Sequence, residues 1–221
     1  MSANFILSIL FRRPDHPYII LTLHGYNAPM LKTDRTSTYP IQPIILNRWS
    51  PRAMTGEPID EATLLSFFEA ARWAPSSSNN QLTRYVYSKR NSETWKDFFN
   101  LLSEGNKKWC KNAAALVIVL SRTHAYYKDR KQQTHSFEAG AAVENLMVEA
   151  TSRGYVAHTM SGFDREKTHE YLNLSDMWEV EVMIAIGRFD SETSKKKEEK
   201  ASDRKPLNEI VFKDTLPDIF K

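Results

Sequence analysis

The stretch AALVIVL, residues 114–120, is an uninterrupted apolar run near the middle of the chain. Such a run, bounded by polar residues, is typical of a strand that is buried on both faces of a sheet. Helical and strand-like patterns alternate on either side of it, and no segment repeats. This order predicts a mixed layered fold of helices and strands in which residues 114–120 form a central strand.

Of the two clearest helix patterns, one precedes this strand in the sequence and the other follows it. The first is predicted to begin after the N-cap Asp60, and it ends near Trp73 because Pro75 disfavours helical geometry at the residue before it. The second is predicted over residues 136–153, with Gly154 as its C-terminal stop. In the first of them Leu64, Phe67, Phe68 and Ala71 recur at helical spacing.

Two shorter helices complete the pattern. Ser92 is the predicted N-cap of one, Trp95 begins its apolar stripe, and Gly105 with Asn106 are predicted to end it. Asp164 is the predicted N-cap of the other. Further strands are predicted at residues 84–88, 155–159 and 180–186.

The two ends of the chain differ from its middle. Residues 1–35 are interpreted as an N-terminal extension of unknown role: the apolar run Phe5–Phe11 is about one-third of a membrane span, and its basic pair follows the run, unlike in a secretory signal. Residues 36–221 are predicted to form a single domain. Within it, residues 190–205 are predicted to be a solvated loop. Residues 206–221 are expected to be an arm that packs on its own subunit or on a neighbour.

The composition excludes several classes of function. The net charge is +3 and the basic residues are scattered, so no nucleic-acid partner is indicated. Cys110 is the only cysteine, which excludes an intrachain disulfide and the common zinc spacings and fits a reducing, cytoplasmic location. GxGxxG, Walker A, HExxH, CxxC and GxSxG motifs are all absent. No membrane partner, metal site or Rossmann dinucleotide unit is therefore predicted.

Two basic segments could surround an anion. RWSPR at residues 48–52 provides two guanidinium groups and a hydroxyl within five residues, a set suited to a phosphate. RKPL at residues 204–207 provides a second basic pair. Taken alone, either segment is more often solvated surface.

Two polar segments could line a flat heteroaromatic ligand such as a flavin. APSSSNNQ at residues 74–81 offers hydroxyl and amide groups that both donate and accept hydrogen bonds. In MSGFD at residues 160–164, Gly162 permits close backbone approach, and the amides at the following helix start favour electron density on a ligand. Alone, each segment is more often an ordinary loop or turn.

Taken in chain order, these segments resemble the nitroreductase family of FMN-dependent enzymes. Dispersed matches in the same order are far more specific than any single one, and together they span about residues 40–215. The matching stretches are RWSPR at 48–52, EAARWAPSSSNNQ at 69–81, EAGAAVENLMVEATSRGY at 138–155, HTMSGFD at 158–164, AIG at 185–187 and RKPL at 204–207.

The resemblance implies an α+β fold of three layers, in which a central mixed, mainly antiparallel sheet is flanked by helices. It also implies an intertwined homodimer with one FMN in each of two interfacial pockets. It assigns the phosphate and ribityl contacts to Arg48, Ser50 and Arg52, with Arg204 closing on the same phosphate from the other end of the chain. The residues that it assigns to the flavin ring are Pro75, Ser76, Ser77, Ser78, Asn79, Ser161 and Gly162.

The activity that the resemblance implies is a two-step, ping-pong oxidoreductase reaction. NADPH or NADH gives hydride to FMN, and a nitroaromatic, quinone or related small acceptor then takes the electrons, so no catalytic side chain is expected. A specialised flavoenzyme of the same fold, of the dehalogenase or flavin-fragmenting type, is an alternative. A non-catalytic flavin-binding protein and a structural dimer that has lost FMN are others.

Two residues depart from the family pattern. The best-known members have an acidic residue where this chain has Ser161, and a second basic residue where it has Ser202. The first departure concerns the choice of electron donor and substrate more than flavin binding. The second concerns the strength of the phosphate contact.

Overall fold

The computed structural model describes residues 7–11, 19–23 and 31–217. The strands are β1 (Leu7–Phe11), β2 (Ile19–Leu23), β3 (Thr83–Lys89), β4 (Ala115–Arg122), β5 (Tyr155–Met160) and β6 (Trp178–Arg188). The helices are α1 (Pro43–Asn47), α2 (Glu61–Arg72), α3 (Trp95–Leu101), α4 (Glu104–Cys110), α5 (His135–Ser152), α6 (Arg165–Tyr171) and α7 (Ser191–Lys196). Short 3₁₀ turns lie at Ser77–Asn79 and Leu207–Glu209.

Four strands form the main sheet in the order β3-β4-β6-β5, and each neighbouring pair is antiparallel. β4 is an inner strand, and its residues from Ala115 to Ser121 are all buried. The prediction of a central strand buried on both faces is therefore confirmed. β1 and β2 pair with each other in a separate antiparallel sheet.

Side chains of β4 alternate between two hydrophobic cores. Val117 and Val119 lie in the core covered by α2 and α5, whereas Leu116 and Ile118 lie in the core covered by α3 and α4. Because side chains alternate across a strand, one buried strand can serve both cores. The result is the α+β arrangement of helix, sheet and helix layers that the resemblance implies.

The helices whose ends depend on local caps are confirmed. The side chain of Asp60 accepts a hydrogen bond from the Thr63 amide at 2.8 Å at the start of α2. The side chain of Asp164 accepts one from the Lys167 amide at 3.0 Å at the start of α6. Beyond α5, Gly154 has a φ of 73°, a left-handed conformation that glycine adopts without strain.

The prediction for residues 92–106 is wrong at both ends. Ser92 does not cap α3: its Oγ lies 2.9 Å from the Oγ of Ser88. Gly105 and Asn106 do not end a helix, since they lie inside α4. The physical reason is that Leu102 leaves the helical conformation and forms an isolated bridge with Phe163, which divides the segment into two helices.

The C-terminal part also differs from its prediction. The expected solvated loop over residues 190–205 contains α7, whose N-cap Asp190 accepts a hydrogen bond from the Thr193 amide. In the arm, Ile210 and Val211 are 57% and 61% exposed in the single protomer. Residues 218–221 lie outside the described part of the chain, and packing of the arm on a neighbour stays a prediction. No helix among the described residues is long and apolar enough to cross a membrane.

Candidate functional site

Four of the predicted phosphate contacts line one cavity. Arg48, Ser50, Arg52 and Arg204 all border a pocket of about 380 Å³, which we call the basic pocket. The other residues that line it are Arg35, Trp49, Pro51, His158, Glu199, Lys200 and Ser202. The lining thus has four guanidinium groups and one ammonium group but only one carboxylate. This excess of positive charge suits the pocket to an anion.

Arg48 enters this pocket from the loop after α1. Its Nε lies 2.9 Å from Glu144 Oε1 on α5, which is an ion pair by distance. The Nε is buried, so Glu144 pairs with the inner edge of this guanidinium. Arg48 therefore borders the cavity with its side chain held by a carboxylate of α5.

Arg35 and Glu199 hold the walls of the basic pocket. The Nε of Arg35 donates to the Ser202 carbonyl at 2.8 Å, and its Nη1 donates to the Arg48 carbonyl at 2.9 Å. The carboxylate of Glu199 accepts the backbone amides of Arg52 and Ala53, each at 3.2 Å. Both residues were missed by sequence reasoning, because neither has a local pattern that indicates its long-range contacts.

His158 forms part of the pocket's β5 side. Its Nδ1 lies 3.1 Å from the Pro51 carbonyl, and its ring packs against Trp109 with centroids 4.7 Å apart. Burial lowers the pKa of His158, and the nearby charge of Arg52 acts in the same direction. The neutral imidazole is therefore favoured in the folded chain.

The serine–asparagine loop, residues 75–79, lies at a different cavity. Pro75 and Ser76 line a pocket of about 480 Å³ between α2, the start of β3 and α5. Ser78 and Asn79 both have positive φ, at 51° and 54°. The amide of Ser77 donates to Glu138 Oε1 at 3.0 Å, and this contact ties the loop to α5.

Glu138 is a third residue that the sequence did not indicate. It is only 5% exposed, and its Oε1 also accepts from the Thr134 hydroxyl at 2.7 Å. Its Oε2 is buried without a hydrogen-bond partner among the described residues. This buried acid has a structural role, because it ties the loop to α5 by accepting the Ser77 amide.

Ser161 and Gly162 follow β5 directly, and Ser161 is exposed. The Gly162 carbonyl accepts hydrogen bonds from the Ser103 amide and from Asn106 Nδ2. A Cβ at Gly162 would come within 2.8 Å of Asn106 Nδ2. Among the described residues, Gly162 therefore lets its own backbone pack closely against the start of α4.

The structure thus brings together one group of predicted site residues and leaves the others apart. The basic pocket and the pocket beside the serine–asparagine loop have no lining residue in common. A third pocket of about 300 Å³ contains Thr159, which follows His158, and Glu144, which pairs with Arg48.

The nitroreductase family model matches residues 45–108 and 89–188 of this sequence. The chain belongs to the nitroreductase family. The resemblance carried by the dispersed motifs is therefore confirmed. The match begins after α1 has started, so Arg35 lies outside the part that the family model covers.

Individual relatives agree with this assignment. A protein of Bacillus subtilis, named NAD(P)H nitroreductase MhqN, is 28% identical in an alignment of 195 positions that covers 72% of this chain and 90% of the relative. A solved structure named an oxidoreductase containing FMN is 40% identical, covers 84% of this chain and 98% of its own, and has a TM-score of 0.80. A Desulfovibrio desulfuricans nitroreductase solved in complex with FMN shares the fold at 22% identity and a TM-score of 0.64, covering 80% of this chain and all of its own.

Proposed function

We propose that this nitroreductase-family chain is an FMN-dependent oxidoreductase that uses NADPH or NADH to reduce a small acceptor such as a nitroaromatic or a quinone. The observation that carries the proposal is the basic pocket. Its five cations and the hydroxyl of Ser50 converge from distant parts of the sequence on one cavity. The solved relative with 40% identity is named for its FMN.

The basic pocket fits the phosphate end of FMN. A phosphate ester offers several strong acceptor oxygens, which guanidinium groups recognise with paired, charge-assisted hydrogen bonds. Arg48, Ser50, Arg52 and Arg204 would hold this end of the cofactor. Glu144, which pairs with the Nε of Arg48, would hold that guanidinium in position.

The chain's own groups bind and orient, since FMN, when bound, supplies the two-electron chemistry between the nicotinamide donor and the acceptor. Arg48, Arg52 and Arg204 would fix the cofactor by its phosphate. The serine–asparagine loop and the backbone at Ser161 and Gly162 would lie beside the ring. Ser161 brings no charge to that place, and we expect its identity to influence the choice of donor and acceptor.

The arrangement also favours a homodimer with the cofactor at the interface. Within one protomer the serine–asparagine loop does not border the basic pocket, so a second copy would have to supply the loop to the ring. Large apolar side chains remain exposed, including Trp73 at 72% and Phe137 at 78%. Covering these side chains with a second copy would remove their apolar surface from water. Light scattering on the FMN-loaded protein tests this, and a monomer that retains FMN would contradict an interfacial site.

The colour of the purified protein, before and after addition of NADPH or NADH without oxygen, tests the function directly. We expect a yellow protein whose flavin absorbance bleaches with the nicotinamide and returns when an acceptor is added. A panel of nitroaromatics and quinones then identifies the acceptor class. Yellow protein that does not bleach would instead support a non-catalytic flavin-binding protein. Protein that remains colourless with added FMN would contradict both.

A further inference from the structure

Arg35 reaches the basic pocket from outside the family-matched part of the chain. The segment that carries it is docked on the domain: Leu31 is buried in the core with α3 and α4, and the Thr33 amide donates to Asn47 Oδ1 at 2.9 Å. These contacts fix the backbone just before Arg35. Its guanidinium is therefore held in place, although it precedes the matched residues.

The hydrogen bonds of Arg35 join the two ends of the pocket. Nη1 donates to the carbonyls of Leu46 and Arg48 at 3.2 and 2.9 Å, and Nε donates to the carbonyl of Ser202 at 2.8 Å. Arginine has five N–H donors, so these bonds occupy three. The two hydrogens on Nη2 have no acceptor among residues 31–217 or the two N-terminal strands.

The charge around Arg35 is mostly of its own sign. Burial lowers the pKa of this guanidinium, and the positive charges of Arg204 and Arg48 lower it further, while Asp203 opposes them. Like charges that are held this close repel one another. An anion between them would relieve the repulsion, whereas Ser202 offers only its carbonyl to Arg35 and brings no charge.

We propose that Arg35 is a phosphate-binding and positioning residue of the cofactor site, which closes the basic pocket by joining the Arg48 loop to the Ser202 segment. This inference rests on the proposed function. Its consequence is that FMN retention depends on a residue that precedes the family-matched part of the chain. Removal of the segment that contains Arg35 would weaken FMN binding with the family-matched residues intact.

The test compares FMN with riboflavin, which has the same ring and no phosphate. The Kd values are measured by quenching of flavin fluorescence for the unaltered protein, Arg35→Met and Arg35→Lys. Arg130→Met is the matched control, because Arg130 is an exposed arginine that does not line the basic pocket. Thermal unfolding without flavin shows whether each variant is folded.

We expect Arg35→Met to weaken FMN binding by about 10- to 100-fold, with the Kd for riboflavin unchanged. Arg35→Lys keeps the positive charge but lacks the paired N–H donors of a guanidinium. Its Kd for FMN should therefore lie between those of the unaltered protein and Arg35→Met. Arg130→Met should match the unaltered protein. A Kd for FMN in Arg35→Met within about twofold of the unaltered value, or an equal loss for FMN and riboflavin, would overturn the inference alone. Failure of the unaltered protein to bind FMN would overturn the proposed function with it.

Discussion

The basic pocket and the serine–asparagine loop are assigned to the same cofactor, yet they are built in different ways. The basic pocket draws residues from four separated segments, at Arg35, at residues 48–52, at His158 and at residues 199–204, and it is assembled within one protomer. The serine–asparagine loop is local, and its best-defined tie is the single contact between Ser77 and Glu138. It lines a cavity of its own, which shares no lining residue with the basic pocket.

This difference implies that the two ends of the cofactor are bound by separable means. The phosphate end would depend on charges that one chain holds in place. The ring end would depend on a loop whose partner surface is supplied by a second copy. Substitutions in the basic pocket should therefore weaken the binding of FMN and leave that of riboflavin unchanged. Substitutions in the loop should weaken the binding of both flavins.

The largest expected effect is that of Arg48→Ala on FMN. Loss of a charge-assisted contact of this kind is worth about 1.5–3 kcal/mol, or about 10- to 150-fold in affinity. Riboflavin has no phosphate, so its Kd should hardly change. Fluorescence quenching titrations with both flavins measure this.

A suitable control for Arg48→Ala is Lys89→Ala. Lys89 is paired with Glu61 and does not line the basic pocket. The substitution therefore removes a cation without changing the site. We expect that control to bind FMN normally. If Arg48→Ala also binds FMN as the unaltered protein does, the role assigned to the basic pocket is wrong.

Glu138→Ala tests the loop side of the comparison. It would remove the side-chain acceptor of the Ser77 amide, at a cost of about 0.5–1.5 kcal/mol in the free energy of unfolding. Because the loop would bind the ring, FMN and riboflavin should lose affinity equally, unlike in Arg48→Ala. Chemical denaturation and the same titrations give the two quantities.

Glu138→Gln is the control for this variant, since it keeps an acceptor oxygen for Ser77 and should retain most of the stability. A Glu138→Ala protein that discriminates against FMN alone would show that the loop and the basic pocket are not separable. Equal flavin affinity in the unaltered protein, Glu138→Ala and Glu138→Gln would mean that the loop does not contribute to flavin binding.

The smallest expected effect concerns His158 and pH. Burial lowers its pKa in the folded chain below the ordinary value of 6.5. Above about pH 6.5 both the folded and unfolded chains have a neutral imidazole. As the pH falls, the unfolded chain takes up the proton first, so the stability present above that pH is lost as the pH passes through the lowered pKa.

Melting temperatures measured between about pH 7 and pH 5 test this for the unaltered protein and His158→Asn. The asparagine keeps an amide donor but does not titrate, so its melting temperature should fall less steeply with acid. Parallel curves for the two proteins would mean that His158 does not contribute to the pH dependence.

Features with a local physical cause could be predicted from the sequence. The starts of α2 and α6 follow from the caps Asp60 and Asp164, and the end of α5 is followed by Gly154 with its positive φ. The buried strand β4 follows from its composition. The dispersed motifs, read in the family's order, selected four residues that the fold brings to one cavity, and their contact with a phosphate stays a prediction.

Features that depend on distant contacts could not be predicted. The division between α3 and α4 is caused by the bridge from Leu102 to Phe163, which are far apart in sequence. Arg35 acts through carbonyls 13 and 167 residues away, and no pattern around it indicates either. Glu138 resembles an ordinary helix residue until the fold places Ser77 beside it.

The most direct test of the account is the ratio of the Kd for riboflavin to the Kd for FMN in the unaltered protein. If the basic pocket holds the phosphate with at least one charge-assisted contact, FMN should bind about 10- to 150-fold more tightly than riboflavin. Because the predicted contacts are ionic, the ratio should also shrink as salt is added. Equal affinity for the two flavins at low salt would contradict the account, since the cations of the basic pocket would then contribute nothing to holding the cofactor.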